Sequence, residues 1–246
     1  MGLRSALKKI EQKRRPFCTA VIPAAGSSRR MGGENKLLAS LDGMPVLMRT
    51  LLAVDAAERV DEIIVAARED LLQETADLCA RCGLRKPVQV VVGGESRTGS
   101  VLAAALAADP RAQLIAVHDG ARPLMRPAML DELAAQGAKT YAAAPALPVT
   151  DTVKVADAQG KVLSTPDRRT LFAVQTPQVF QADILRAALQ AALAGGEEVT
   201  DDCAAVERLG KAVYLTPGDP ENIKITTPLD LDIAGVILRR REEERA

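Results

Sequence analysis

Histidine is almost missing from this sequence: His118 is the only one in 246 residues. A histidine-built metal site is therefore excluded, and a Ser-His-Asp triad is disfavoured. Tryptophan is absent, and two Tyr and three Phe leave little material for stacking bases. Lys+Arg and Asp+Glu both total 32, so no net basic field draws the chain to nucleic acid or an anionic membrane. No apolar run reaches the roughly 18–20 residues of a membrane span, and the N-terminus has no signal-peptide apolar core. The expectation is a soluble, cytoplasmic, globular protein with neither nucleic acid nor membrane as partner. Any metal should be a hard ion held by carboxylates and phosphates, which means Mg²⁺.

Four cysteines are too few for a disulfide scaffold of this size. Cys79 and Cys82 have CxxC spacing, but they end a segment, 71–82, that reads as a helix, and there is no second CxxC. Structural thiols are the better reading than a redox or zinc site.

What is present is 48% hydrophobic sequence, enough for a sizeable core. Short apolar runs at 18–22, 63–67, 88–92, 114–117 and 140–144 alternate with helical patterns at 47–55, 71–82, 100–108 and 127–137. That alternation predicts βαβ units and an α/β fold with a mostly parallel sheet covered on both faces. Residues 147–175 break the rhythm, with valines around a Gly160 turn, and read as a projecting β-arm. Helices resume at 182–194 and 201–209, then a strand at 212–216 and a last helix from Pro228. A basic extension, 1–17, precedes a single domain, 18–246. Its run of Lys8, Lys9, Lys13, Arg14 and Arg15 reads as a solvated or frayed terminus rather than a nucleic-acid arm.

Ligands of open parallel sheets bind beyond the carboxyl ends of the strands, and three post-strand loops are chemically loaded. The first runs Pro23-Ala-Ala-Gly-Ser-Ser-Arg-Arg-Met-Gly-Gly-Glu-Asn-Lys36. Small residues admit a ligand close to backbone N–H groups, and Arg29, Arg30 and Lys36 supply charge suited to a triphosphate. It is neither a Walker P-loop nor a dinucleotide fingerprint, and alone it could be a solvated turn. The second, Gly93-Gly-Glu-Ser-Arg-Thr-Gly-Ser100, opens a helix whose N–H donors suit an anion or a polar base, or are simply capped by Ser100 or Thr98. The third, Val117-His-Asp-Gly-Ala-Arg-Pro123, sets Asp119 to hold Mg²⁺ and Arg122 to hold an anion, unless it is an ordinary Asp-Gly turn.

The opening Ala-Val-Ile-Pro-Ala-Ala-Gly-x-x-x-Arg-Met-Gly, closed by a lysine, resembles the nucleotidyltransferase signature. Gly93–Val101, Val117–Pro123, Pro148–Lys154, Gln175–Gln178, Thr200–Asp202 and Glu221–Thr226 together resemble the 2-C-methyl-D-erythritol 4-phosphate cytidylyltransferases of the non-mevalonate isoprenoid pathway. The likeness runs from about Thr19 to Ala234; Asn35-Lys36-Leu37 stands where that family commonly has Pro-Lys-Gln. It implies a single Rossmann-like nucleotidyltransferase domain that transfers CMP from CTP to a sugar-alcohol phosphate, 2-C-methyl-D-erythritol 4-phosphate, releasing pyrophosphate. It further implies Arg30 and Lys36 on the triphosphate, Lys224 on the pentavalent phosphorus and Asp119 on Mg²⁺. Ala24, Ala25, Gly26, Gly94 and Ser100 would line the nucleotide pocket. Arg122, Thr152, Arg168 and Thr200 would grip the acceptor, with the arm reaching into the neighbouring subunit of a homodimer. The rival readings are a ribitol-5-phosphate cytidylyltransferase, a glycosyltransferase using Asp230-Leu-Asp232, and a nucleotide-binding module without catalysis.

Overall fold

The computed structural model describes residues 15–26, 35–196 and 199–244. Strand β1 (Phe17–Pro23) leads through a small hairpin, β2 (Ser40–Leu41) and β3 (Met44–Pro45), into helix α1 (Val46–Ala56). There follow β4 (Glu62–Ala67), α2 (Leu72–Arg81), β5 (Val88–Val92), α3 (Arg97–Ala107), β6 (Ala112–Val117), α4 (Pro127–Gly137) and β7 (Ala142–Pro148). The arm carries β8 (Val155–Ala156), β9 (Val162–Ser164) and β10 (Phe172–Val174). Then come β11 (Gln178–Gln181), α5 (Ala182–Ala194), α6 (Asp202–Arg208), β12 (Tyr214–Pro217) and α7 (Pro228–Glu243).

The main sheet runs β10-β7-β11-β6-β1-β4-β5, with β12 also paired to β7. β6, β1, β4 and β5 are mutually parallel, while β11 is antiparallel to both β6 and β7. Alternate residues of each strand enter opposite cores, as the period-2 geometry requires. Ala20, Ile22, Ile63 and Val65 pack with α1, α2, α4 and α7; Val21, Ile64, Ala66 and Ile115 pack with α3, α5 and α6. The direction of winding explains the two faces. From β1 the chain moves outward to β4 and β5 with its helices on one face. It then returns by α3, on the other face, to β6 beside β1, which keeps both crossovers right-handed. β1 and β6 are therefore neighbours whose connections leave in opposite directions, and a crevice opens at their carboxyl ends.

The α/β alternation expected from the pattern is present, and α4, α5 and the start of α7 fall where the sequence puts them. Other elements differ: the β2–β3 hairpin has no counterpart in the pattern, and β7 runs on to Pro148, past the expected start of the arm. β11 is absent from the sequence reading because four residues behind Pro177 carry no periodic signal; its strand state comes from hydrogen bonding on both sides. α3 begins at Arg97 with Ser96 as its cap, accepting a bond from the Gly99 N–H, so neither Ser100 nor Thr98 caps it. Of the basic run, 1–14 lie outside the described residues. Arg15 is not frayed: its guanidinium forks onto both oxygens of Asp61 at 2.6 and 2.7 Å. In the arm, β8 and β9 pair, among the described residues, only with each other around Gly160, whose φ of +82° suits a residue without Cβ.

All four cysteines are free. Burial raises the thiol pKa of Cys18 to about 12 and those of Cys79 and Cys82 to about 11, and it raises Cys203 too. Among the described residues no cluster of three metal-binding side chains exists, and no helix is long and apolar enough to cross a membrane. With DTNB at pH 8 the folded protein should label slowly at every thiol, and guanidinium should release four fast-reacting groups. Rapid stoichiometric labelling of Cys79 or Cys82 in the folded protein would mark that pair as reactive.

Candidate active site

Three loops leave the carboxyl ends of β1, β5 and β6 and converge on a cavity of about 400 Å³. Ala25, Gly26 and Lys36 line it from the first loop, Gly94, Glu95, Ser96, Arg97 and Ser100 from the second, and Asp119 from the third, with Lys224 at its edge. Each loop is fixed by backbone bonds to the neighbouring strand: Ala24 N–H donates to the Ala66 carbonyl at 2.8 Å and Gly93 N–H to Ala67 at 2.7 Å. Ala24 is buried beneath the lining. Gly94 lies so close to the first turn of α3 that a Cβ on it would stand 2.7 Å from the backbone of Gly99. The Ser100 hydroxyl closes the same turn, donating to the carbonyls of Ser96 and Gly94.

Asp119 is the electrostatic centre. Burial by itself would raise its pKa, but Lys224 at 2.8 Å, Arg97 at 3.7 Å and Arg122 at 3.5 Å reverse the sign and hold it well below the usual carboxylate range. Lys224 is 37% exposed at the cavity rim, whereas Asp119 is 10% exposed. Lys36, Arg97 and Lys224 thus face Asp119 and Glu95, leaving the described lining positively charged and suited to a polyphosphate.

Seven of the residues singled out from sequence, Ala25, Gly26, Lys36, Gly94, Ser100, Asp119 and Lys224, share this cavity. Arg30 lies outside the described residues. Arg122 does not face the cavity: it turns inward, donating to the Asn222 carbonyl at 2.7 Å, where it braces the loop bearing Lys224. Thr152 and Arg168 lie on the exposed arm, where the Arg168 guanidinium donates to the Thr150 carbonyl at 2.9 Å. Thr200 is exposed before α6, with Asp201 capping that helix. Asp230 is committed elsewhere too, accepting from the Thr226 and Thr227 amides in the capping box of α7, so Asp230-Leu-Asp232 is no strand-end metal motif.

Arg97 is the residue that sequence reasoning missed. Its motif was visible, but its partners were not: it bridges Asp119 at 3.7 Å and Asp202 at 2.8 Å. Asp202 is buried, and burial outweighs the attraction of Arg97 to leave its pKa raised. Replacing Arg97 by Met should cost about 2–3 kcal/mol in urea denaturation, toward the low end for a broken buried pair because the guanidinium is partly exposed. Adding Asp202→Asn to that variant should restore part of the loss; additive losses would show that the pair is not coupled.

The model of the 2-C-methyl-D-erythritol 4-phosphate cytidylyltransferase (IspD) family matches residues 18–240. A protein of that name from Thermosynechococcus vestitus is 44% identical over 226 residues, covering 91% of this chain and 96% of its own. One from Synechocystis is 39% identical over 92% of this chain and 99% of its own. Among solved structures, 4-diphosphocytidyl-2C-methyl-D-erythritol synthase from Anaerococcus prevotii superposes with a TM-score of 0.81 at 31% identity, covering 91% of this chain and 99% of that one. Profile, relatives and architecture agree over the same span that holds the three loops and Lys224, and the chain belongs to the 2-C-methyl-D-erythritol 4-phosphate cytidylyltransferase family.

Proposed function

We propose that the chain performs the reaction for which its family is named, transfer of CMP from CTP to 2-C-methyl-D-erythritol 4-phosphate with release of pyrophosphate. The observation that carries this reading is the Asp119–Lys224 contact at the head of a cavity walled by small-residue loops and Lys36. The acceptor phosphate attacks the α-phosphorus of CTP, the new P–O bond forming as the bond to pyrophosphate breaks. With a second pKa of about 6, a phosphate monoester is largely dianionic at neutral pH and needs no general base. His118 is accordingly unavailable as one. Burial pushes its pKa down to about 4, and both ring nitrogens are engaged, Nδ1 by Thr176 and Nε2 by the Arg122 carbonyl. Catalysis is then positioning together with neutralisation of growing charge.

Lys36 and Arg30 hold the triphosphate, and Lys224 meets the oxygens of the pentavalent phosphorus. Ala25, Gly26, Gly94 and Ser100 enclose the nucleotide, with Ala24, expected to line the pocket too, packed beneath them. The donor set fits Mg²⁺: one hard carboxylate at the cavity wall, with Glu95 nearby, is what an ion completed by phosphates and water requires. Asp119 would hold that ion, which would offset phosphate charge. Arg168, Thr152 and Thr200 grip the acceptor, with the arm supplied by a second copy of the chain. Two features support a shared site. Arg168 and Thr152 lie away from the lining of their own cavity, and the arm exposes Val155, Val162, Leu163, Phe172 and Val174.

Pyrophosphate release with CTP should require the methylerythritol phosphate and should not occur with ribitol 5-phosphate; equal use of both would remove the acceptor assignment. Lys36→Ala and Lys224→Ala should each lower turnover by two to three orders of magnitude, the roughly 3–4 kcal/mol that a preorganised donor supplies in the transition state. Near-wild-type turnover in either would take that lysine out of the mechanism. Arg168→Ala and Lys224→Ala dimers should both be nearly inactive. Unfolded and refolded together in equal amounts, they should recover roughly a quarter of wild-type activity, because half the dimers are mixed and each mixed dimer has one intact site of two. No recovery in chains shown by labelling to have exchanged would rule out the shared site.

A further inference from the structure

We infer that Thr176 is a positioning residue for the transfer reaction, a buried hub that sets both members of the Asp119–Lys224 pair. Its side chain serves one member and its backbone the other. The hydroxyl oxygen accepts the Asp119 backbone N–H at 3.0 Å. The Thr176 carbonyl accepts the Asn222 side-chain amide at 2.8 Å. Asn222, two residues before Lys224, is fully buried, and Arg122 grips its own carbonyl. Lys224 then reaches back to Asp119 at 2.8 Å, closing a ring from Asp119 through Thr176 and Asn222 to Lys224.

The hydrogens in this ring have one consistent arrangement. The Arg122 carbonyl can only accept, so the His118 Nε2 facing it at 3.1 Å carries the proton. His118 Nδ1 is then a lone pair, and it takes the Thr176 O–H at 3.0 Å. That fixes the hydroxyl rotor and leaves its oxygen free to receive the Asp119 N–H. Thr176 and His118 are both shielded from solvent, so no water competes for these bonds. Gln175 tightens the same junction, its side chain pairing with the backbone N–H and carbonyl of Asp219 at 3.2 and 2.9 Å, at the start of the Lys224 loop. By contrast, the bonds that hold Thr176 come from Asp119, His118 and Asn222 rather than from Ala25, Gly26 or Gly94, which line the nucleotide side of the cavity. Loss of the hydroxyl should therefore misalign the reacting end while leaving nucleotide binding largely intact.

This inference rests on the roles given to Asp119 and Lys224, and the experiment separates the two. Thr176→Val keeps shape but can neither donate nor accept; Thr176→Ser restores both. Thr176→Val should lower kcat by about 10- to 100-fold, the scale of a small displacement at a reacting centre. Calorimetry should still give one CTP per chain with a dissociation constant within about twofold of wild type, as expected when only transition-state alignment is lost. Thr176→Ser should recover most of kcat. Asn222→Leu, which cuts the other tie, should show the same split and should add less than its full effect to Thr176→Val, as members of one network do; it also serves as the test if the valine variant does not fold. Wild-type kcat in Thr176→Val or Asn222→Leu would overturn the hub, as would a proportional loss of CTP stoichiometry or failure of serine to restore turnover. If Lys224→Ala were itself active, the reading of Lys224 would fail first. If Lys224→Ala is inactive and Thr176→Val is not, only the hub fails.

Discussion

A carboxylate buried among cations organises this molecule. Asp119 lies just beyond the end of β6 with little access to solvent, and a lone charge there would be intolerable. It persists ionised because Lys224, Arg97 and Arg122 reach it from three different segments of chain. Each of these contacts fixes something else. Lys224 ties the loop after β12 to the sheet, Arg97 carries the first turn of α3 and through it the buried Asp202, and Arg122 braces the Asn222 backbone. Two of the charges that satisfy Asp119, Lys224 and Arg97, also face the cavity, so the cluster that stabilises the site suits it to a polyphosphate.

The scaffold makes such a convergence possible. Reversal of winding between β1 and β6 leaves a crevice that no crossover helix can cover, and the loops after β1, β5 and β6 all open into it. Two hydrophobic cores, one on each face of the sheet, hold those strand ends rigidly. Ion pairs outside the cavity extend the rigidity: Arg126 and Arg241 both meet Asp219 and Glu221 at the base of the Lys224 loop, anchoring it to the ends of α4 and α7. A frame of that kind is what a site acting through geometry and charge would need.

The arm has a different character. β8 and β9 form a hairpin of their own, their side chains are exposed, and valine, leucine and phenylalanine on the arm meet solvent in the single chain. Yet the strand that ends it, β10, pairs with β7 in the main sheet and runs directly into Gln175 and Thr176. The segment that reaches away from the domain is thus joined to the residues that hold Asp119 and the Lys224 loop.

The sequence by itself determined the α/β class, the helix and strand alternation, the three loaded loops and the cytidylyltransferase likeness. All of these are written in local periodicity or in contiguous motifs. It also marked Lys36, Asp119 and Lys224, which stand out because each sits in a small-residue or apolar context. Tertiary structure alone decided the rest. β11 is a strand only because β6 and β7 flank it. Arg97 and Asp202 are a pair only because α3 and α6 lie on the same face, and nothing in either motif points to the other. Arg122, expected to hold an anion, turns inward because a buried backbone carbonyl at Asn222, a hundred residues away, offers it a partner. Spacing along the chain reveals which residues share a helix face or a loop; which charges meet depends on packing between distant segments, and that is where the partners of Asp119 were chosen.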